Sequence, residues 1–318
     1  MRNPGTPPLI TLFGGGGFIG RYVAEALMKT GARLRVAERH PRRAWYLQPL
    51  GSVGQVSAIA ADLARPETIA RAVEGADAVI NLVGIFKGNL ELVHVHGAGK
   101  LAAAAEAAGA KAFVHASAIG SDPDSKSEYG RTKGEGEQAV RSAFANATIV
   151  RPSTVFGPED QFTNRFASMA RFPFLPVIAP ETKFQPVFVR DLGKAIAAAA
   201  LDPRTHGGKT YELVGPETFT MRDLNAAIAE MAGKDPELID VPDGMASAIA
   251  SFGFLSGAPL SYDQWLMLQK DNVASGEHPG FKAFGITPTP LSAAAPEWLS
   301  RFRKGGRFGP RREVPSAG

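Results

Sequence analysis

Two sets of residues in this chain have the types and spacing to do chemistry. The first is the run Gly14-Gly15-Gly16-Gly17-Phe18-Ile19-Gly20, in which Gly14, Gly17 and Gly20 recur every third position. A glycine at Gly14 permits a sharp turn, one at Gly17 lets a pyrophosphate approach the backbone at a helix start, and one at Gly20 lets that helix pack closely on a strand. The second set is Ser117, Tyr129 and Lys133. A tyrosine and a lysine four apart share one helical face, where the ammonium would lower the phenol's pKa and let it donate or accept a proton, while the serine would hold a carbonyl or hydroxyl. A ligand-free turn and an ordinary surface pair are the plain alternatives; it is the order of both sets along an alternating chain that favours the chemical reading.

The elements that must position these residues follow from periodicity. Short apolar runs at Leu9–Phe13, Leu34–Ala37, Gln55–Ala60, Ala78–Val83, Ala112–Ser117 and Thr148–Arg151 read as strands buried on both faces. Helical stretches through Thr30 and near 67–74, 96–108 and 130–144 lie between them, the alternation of a doubly wound parallel sheet of Rossmann type. After Pro152 the texture changes: Phe172-Pro173-Phe174-Leu175-Pro176 predicts looped structure, then a helix near 191–201, a strand at Lys209–Val214 and a helix at Met221–Met231. The expected organisation is a dinucleotide-binding domain over 1–152, a smaller α/β lobe interleaved with it over 153–300, and a tail over 301–318.

Within that frame further residues acquire roles. The second strand runs out through Glu38-Arg39-His40, with Arg42 and Arg43 just beyond. Arg39 is placed to meet a 2′-phosphate, with Arg21 and Arg43 as helpers, whereas Glu38 would hold ribose hydroxyls. NADP(H) is therefore the expected cofactor and NAD(H) the alternative. Asp62 and Leu63 would border the adenine, and Val83 and Gly84 would let a ribose pass.

Composition narrows the classes. The chain has 318 residues, 44% hydrophobic and 21% charged, with no cysteine, so disulfides and thiolate-bound metals are out. His94 and His96 read as a helix approach and not as a metal pair. No apolar run reaches the roughly 18 residues a spanning helix needs, and the opening residues leave no room for a targeting segment. The net charge of +4 is concentrated at Arg301, Arg303, Lys304, Arg307, Arg311 and Arg312, a basic end suited to an acidic protein surface, anionic lipid or RNA, or simply to solvent.

Taken in order, Gly14-x-x-Gly17-x-x-Gly20, Ser117 and Tyr129-x-x-x-Lys133, with Arg151-Pro152-Ser153-Thr154-Val155-Phe156-Gly157-Pro158 and Gln185–Leu192, resemble the extended and atypical short-chain dehydrogenases/reductases. A narrower resemblance rests on Phe13–Val23, Asp263–Val273, Phe284–Pro288 and Trp298-Leu299-x-x-Phe302-Arg303-x-Gly305-Gly306. These are similar to segments of the NAD(P)-binding accessory subunits of respiratory complex I. The resemblance adds Phe18, Ile19, Pro152, Tyr129 and Lys133 to the cofactor contacts. It implies NADPH as a structural ligand, other complex I subunits near the quinone-binding region as partners, and a peripheral position with possible membrane contact. That position would be on the cytoplasmic side of a bacterial inner membrane, or the matrix side in an organelle. It also implies a vestigial role for Ser117, Tyr129 and Lys133, although this chain keeps a tyrosine that many members have lost. Neither a metal nor a nucleic-acid partner is expected. A free enzyme acting on a nucleotide sugar (epimerase, dehydratase or reductase) and a non-catalytic NADP(H) sensor are the alternatives. Residues 160–190 speak against the first, being rich in Phe and Pro, with only Arg165, Arg171 and Lys183 as cations before Arg190. The apolar, tryptophan-bearing stretch 250–270 suits either a protein contact or a lobe core.

Overall fold

Short apolar runs rich in leucine, isoleucine, valine and alanine form the strands of one parallel sheet. The computed structural model describes residues 6–251, 260–303 and 306. Strands β1 (Leu9–Phe13), β2 (Arg33–Glu38), β3 (Val56–Ala60), β4 (Ala78–Asn81), β5 (Ala112–Ala116) and β6 (Thr148–Pro152) are joined by the strand Thr210–Leu213. The order across the sheet is Thr210–Leu213, β6, β5, β4, β1, β2, β3. All of its pairings are parallel, with Phe13 level with Ala37 on one side and Asn81 on the other. The order reverses between β1 and β4, and this is where the carboxyl ends of strands leave a crevice open to a ligand.

Helices α1 (Phe18–Met28), α2 (Pro66–Val73), α3 (Ala98–Ala107) and α4 (Glu128–Ala143) connect these strands. The apolar faces of α2 and α3 meet the sheet in a core that includes Ile69, Val73, Leu101, Ala105, Phe113 and Val140. The helix expected from residue 96 opens with a π-helical turn, Leu92–Gly97, a geometry frequent at functional positions.

The chain divides into two compact units. The first comprises Met1–Ser153, Val189–Val214 and Ala274–Thr287, the second Thr154–Phe188, Gly215–Val273 and Pro288–Gly318. Residues 189–214 and 274–287, assigned by sequence to the C-terminal lobe, thus belong with the dinucleotide-type sheet. The reason is pairing. Thr210–Leu213 lies parallel to β6, and Glu212 on it accepts the Ser275 amide at 2.6 Å. The helix Val189–Leu201 packs so closely on α1 that a Cβ on Gly193 would stand 2.8 Å from the Tyr22 backbone.

The second unit differs from expectation at the Phe-Pro run. Phe174–Ile178 is not a loop but a strand, parallel to Glu237–Val241. Pro176 is tolerated because a two-stranded ribbon has only edges. Trp298 stacks on Phe188 at 6.3 Å in the centre of this unit. The tryptophan-bearing stretch includes a short helix, Tyr262–Leu268, with a Ser261/Gln264 capping box and no fully buried residue; residues 252–259 lie outside the described residues. Of the basic end, Arg301 donates to Asn164 at 2.7 Å and Arg303 to the Met231 carbonyl at 3.2 Å. Lys304, Arg307, Arg311 and Arg312 lie outside the described residues. No helix among the described residues is long and apolar enough to cross a membrane.

Candidate functional site

The glycine run forms the turn between β1 and α1. Gly14 has φ +77°, and a Cβ there would sit 3.2 Å from the Leu82 carbonyl carbon, so only glycine fits without strain. A Cβ on Gly20 would run into the Gly14 carbonyl oxygen and lie 2.5 Å from Gly15 Cα. Gly17 is different. It is exposed, caps α1 with φ −85°, and a Cβ there would meet only the Gly14 oxygen at 3.2 Å. No side chain caps α1 and no acid stands in its first turn. Its opening amides and the positive end of its dipole are therefore left for an anion.

A cleft of about 480 Å³ opens at this helix start. Its walls come from Gly14, Gly16 and Gly17, from Glu38 to His40 and Arg43 after β2, from Asp62 and Leu63 after β3, and from Val83 to Ile85 with Lys87 after β4. Glu38 folds its carboxylate over the turn and accepts the Gly16 amide at 2.7 Å. Arg39 and His40 also border an adjoining depression together with Arg65 and Thr68. Arg21 is committed elsewhere, paired with Glu25 at 3.2 Å and set over the Tyr46 ring. Phe18, Ile19 and Pro152 lie outside the cleft lining. Phe18 instead packs edge-on against Tyr22.

A buried polar wall holds the loop after β4. Asn81 Oδ1 accepts the Val83 amide at 3.1 Å, so its NH₂ faces His115 Nδ1 at 3.1 Å. His115 accepts there and carries its proton on Nε2, which is buried without a partner among the described residues. His94 Nε2 accepts the Ile85 amide at 3.1 Å, which leaves Nδ1–H to donate to Thr132 Oγ1 at 3.0 Å. Thr132 in turn donates to the Glu128 carbonyl at 2.8 Å. Burial, reinforced by the charge of Lys133, lowers His94 to about 3, so this neutral tautomer persists throughout the working range. The π-turn that carries His94 lies against α4, where the His94 carbonyl occupies the space a Cβ on Gly136 would need. Arg65 and Lys87 have no role in the sequence reading, and His94 enters it only as part of the approach to a helix, because its bond to the Ile85 amide depends on the fold.

Ser117 follows the end of β5, and Tyr129 and Lys133 lie four apart in the first turns of α4. Their chemistry departs from expectation. Tyr129 is pushed up to about 12 by burial, the opposite of the lowering predicted from a neighbouring ammonium. One ring face is covered by Phe86, stacked at 4.7 Å, and His94 meets it edge-on at 5.5 Å. Lys133 donates to the Ala116 carbonyl at 2.7 Å, and burial lowers it to about 8 against a smaller opposing pull from Glu137. Ser117 Oγ is within 2.8 Å of Ser121 Oγ. None of the three lines the cleft. No group of three or more His, Asp or Glu able to hold a metal occurs among the described residues.

The residues around the cleft fit a dinucleotide: a turn without side chains, an uncapped helix start, and Arg39, His40, Arg43 and Lys87 within reach of phosphates. The glycines separate folding from binding. Gly20→Ala should cost on the order of 3 kcal/mol of stability, because backbone must shift. Gly17→Val should still fold, at a cost of about 1 kcal/mol for the poorer helix cap, and lose nucleotide retention at least tenfold, about 1.4 kcal/mol. Calorimetric titration with NADPH alongside urea denaturation separates the two.

The buried pair gives a pH signature. Lys133 at about 8 in the folded chain lies below its ordinary 10.5, so between these values the unfolded state binds the extra proton and stability rises with pH. Tyr129 at about 12 lies above its ordinary 10, so above pH 10 the unfolded state loses its proton first and stability falls. In urea denaturation followed from pH 7 to 11, Lys133→Met should remove the rise that begins near pH 8, and Tyr129→Phe should soften the fall beyond 10.

Comparison with known proteins agrees with this architecture. The NmrA-like family model matches residues 7–266. The mitochondrial NADH dehydrogenase [ubiquinone] 1 alpha subcomplex subunit 9 of Arabidopsis thaliana is 34% identical over 93% of this chain and 78% of its own length. A ceramide reductase of Caulobacter vibrioides is 31% identical over 74% of each chain. In fold, the triphenylmethane reductase of Citrobacter sp., whose structure is complexed with NADP(H), matches with TM-score 0.73 at 19% identity, covering 91% of this chain and 99% of that one. On this evidence the chain belongs to the NmrA-like family, of NAD(P)-binding Rossmann-type fold, and to the family of the complex I alpha subcomplex subunit 9 proteins.

Proposed function

We propose that this chain is an accessory subunit of a respiratory NADH:quinone oxidoreductase and keeps NADP(H) in its cleft as a resident ligand. The observation that carries this reading is the 34% identity to the subunit 9 relative, which runs through 93% of the chain and so includes the second unit as well as the dinucleotide-type sheet. The state of Tyr129 supports the resident role. Pushed up to about 12 by desolvation, with Phe86 across its face, the phenol is a weaker acid than an ordinary tyrosine and so a poorer proton donor.

In this reading the amides at Gly17 and the start of α1 take the pyrophosphate. Asp62 and Leu63 border the adenine, and the Val83–Gly84 backbone, fixed by Asn81 and His94, receives the ribose. Arg39, His40 and Arg65 around the adjoining depression favour the extra phosphate of NADP(H). Glu38 is less available to ribose hydroxyls because it is spent on the Gly16 amide. The bound nicotinamide would supply hydride chemistry if it turned over; Ser117, Tyr129 and Lys133 would then have to orient a substrate. That second reading, a free reductase, is favoured by their retention and by the ceramide reductase relative. The proposed partners are the oxidoreductase subunits near the quinone region, and the proposed place is the membrane face on which the peripheral arm stands.

The test uses the host's membranes. The tagged chain should co-purify with NADH:quinone oxidoreductase activity, release NADPH on denaturation as read by mass spectrometry, and support near-normal turnover as Tyr129→Phe. A chain that purifies alone would overturn the subunit reading. An assembled complex whose turnover falls by orders of magnitude in Tyr129→Phe would overturn the resident-ligand reading.

A further inference from the structure

Between β2 and β3 the chain makes a 3₁₀ segment, Pro41–Leu50, followed by a glycine-flanked turn over 51–54. Ala44 and Leu47 are buried and fasten the segment to the fold. Its other large apolar side chains are exposed. Trp45 is 53% exposed, Tyr46 and Leu50 are exposed as well, and Val53 stands fully in solvent between Gly51 and Gly54. Trp and Tyr each carry a guanidinium on the ring, Arg42 over Trp45 at 5.5 Å and Arg21 over Tyr46 at 5.6 Å. Gln55 reaches back to the carbonyls of Met28 and Ala32 at 2.9 Å, which sets the turn beside Lys29 at the end of α1 and Arg33 at the start of β2. From Arg39 to Ala61 there is no acidic residue. Glu25, the acid of α1, is already bridged to Arg21.

We infer that this surface, built on Trp45, Tyr46, Leu50 and Val53 with Arg42, Lys29 and Arg33 around them, docks the chain on an anionic lipid bilayer. Charge complementarity selects an anionic occupant, since each basic group near such a surface adds to the attraction. The form of the apolar part selects a fluid one. Val53 is a lone aliphatic tip clear of its neighbours, and Trp45 and Tyr46 pair an apolar ring with a cation, the combination that settles at headgroup depth. A folded partner would need a pocket for each separate tip and about 800 Å² of matching surface. The cleft lining takes Arg39 and Arg43 but none of Trp45, Tyr46, Leu50 or Val53. The docking surface also holds under either reading of the cleft, so failure of one does not decide the other.

The test is co-sedimentation of the full chain with sucrose-loaded vesicles, either pure phosphatidylcholine or phosphatidylcholine with one-third phosphatidylglycerol. The full chain should sediment with the anionic vesicles, release with rising salt, and bind neutral ones at least about tenfold more weakly. Val53→Asp and Trp45→Ala alter side chains that carry little packing, so they should fold as the parent does and each lose binding about tenfold. Emission of the parent should shift to the blue on anionic vesicles, and Trp45→Phe should abolish the shift. If both variants sediment as the parent does, or if Arg311→Glu with Arg312→Glu removes all binding while they do not, the surface is not the docking site. If no chain sediments with either vesicle, yet Val53→Asp loses retention on the assembled oxidoreductase, the partner is a protein and the proposal fails.

Discussion

The turn between β1 and α1 has no room for side chains, and much of the molecule is arranged around that restriction. Gly20 lies against the Gly14 carbonyl and Gly15 Cα, so α1 begins almost in contact with the strand it leaves. That approach aims the helix start at the point where the sheet order reverses. It also brings the Leu82–Val83 backbone within 3.3 Å of a would-be Gly14 Cβ, which fixes how near the loop after β4 can come. The cleft is what remains when these backbones close on one another. Its anion-seeking character follows from amides that no side chain has capped.

Around this centre the buried polar groups are kept neutral. His94 and His115 sit in low-dielectric surroundings beside Lys133, and both have their pKa lowered by desolvation first and the ammonium second. Their hydrogen bonds therefore run in fixed directions, from the Ile85 amide through His94 to Thr132, and from Asn81 to His115. Tyr129 obeys the same rule: burial keeps its phenol protonated. Lys133, pulled down to about 8 by the same desolvation, is likewise shifted towards its neutral form. A relative named as a complex I subunit and another named as a reductase can share such a frame because the frame does not decide the chemistry.

The sheet, the glycine turn and the residues after β2 and β3 were legible in the sequence because each depends on local pattern: apolar runs, glycine spacing, and charges next to strand ends. What escaped was long-range or depended on solvent. Nothing in Thr210–Leu213 says which strand it will pair with, so its place at the edge of the sheet cannot be read from the sequence. Phe174–Ile178 was masked by Pro176, whose cost is small on an edge. The direction of the Tyr129 shift is hidden because a lysine four residues on is visible in a sequence and the loss of water is not. Glu38 was visible as an acid at the strand end, but its choice of the Gly16 amide depends on how the turn folds back.

The return of the chain to its first sheet also governs how the protein must be made. β6 has its outer edge covered by Thr210–Leu213, and Glu212 on that strand is tied in turn to Ser275. Until the ribosome has delivered those residues, β6 is a naked edge of fully parallel sheet, the kind of edge that recruits other strands. Pairings at such sequence distance close slowly. A fragment ending at 152 would therefore be a poor guide to the parent, and chaperone demand should persist until synthesis has passed residue 213.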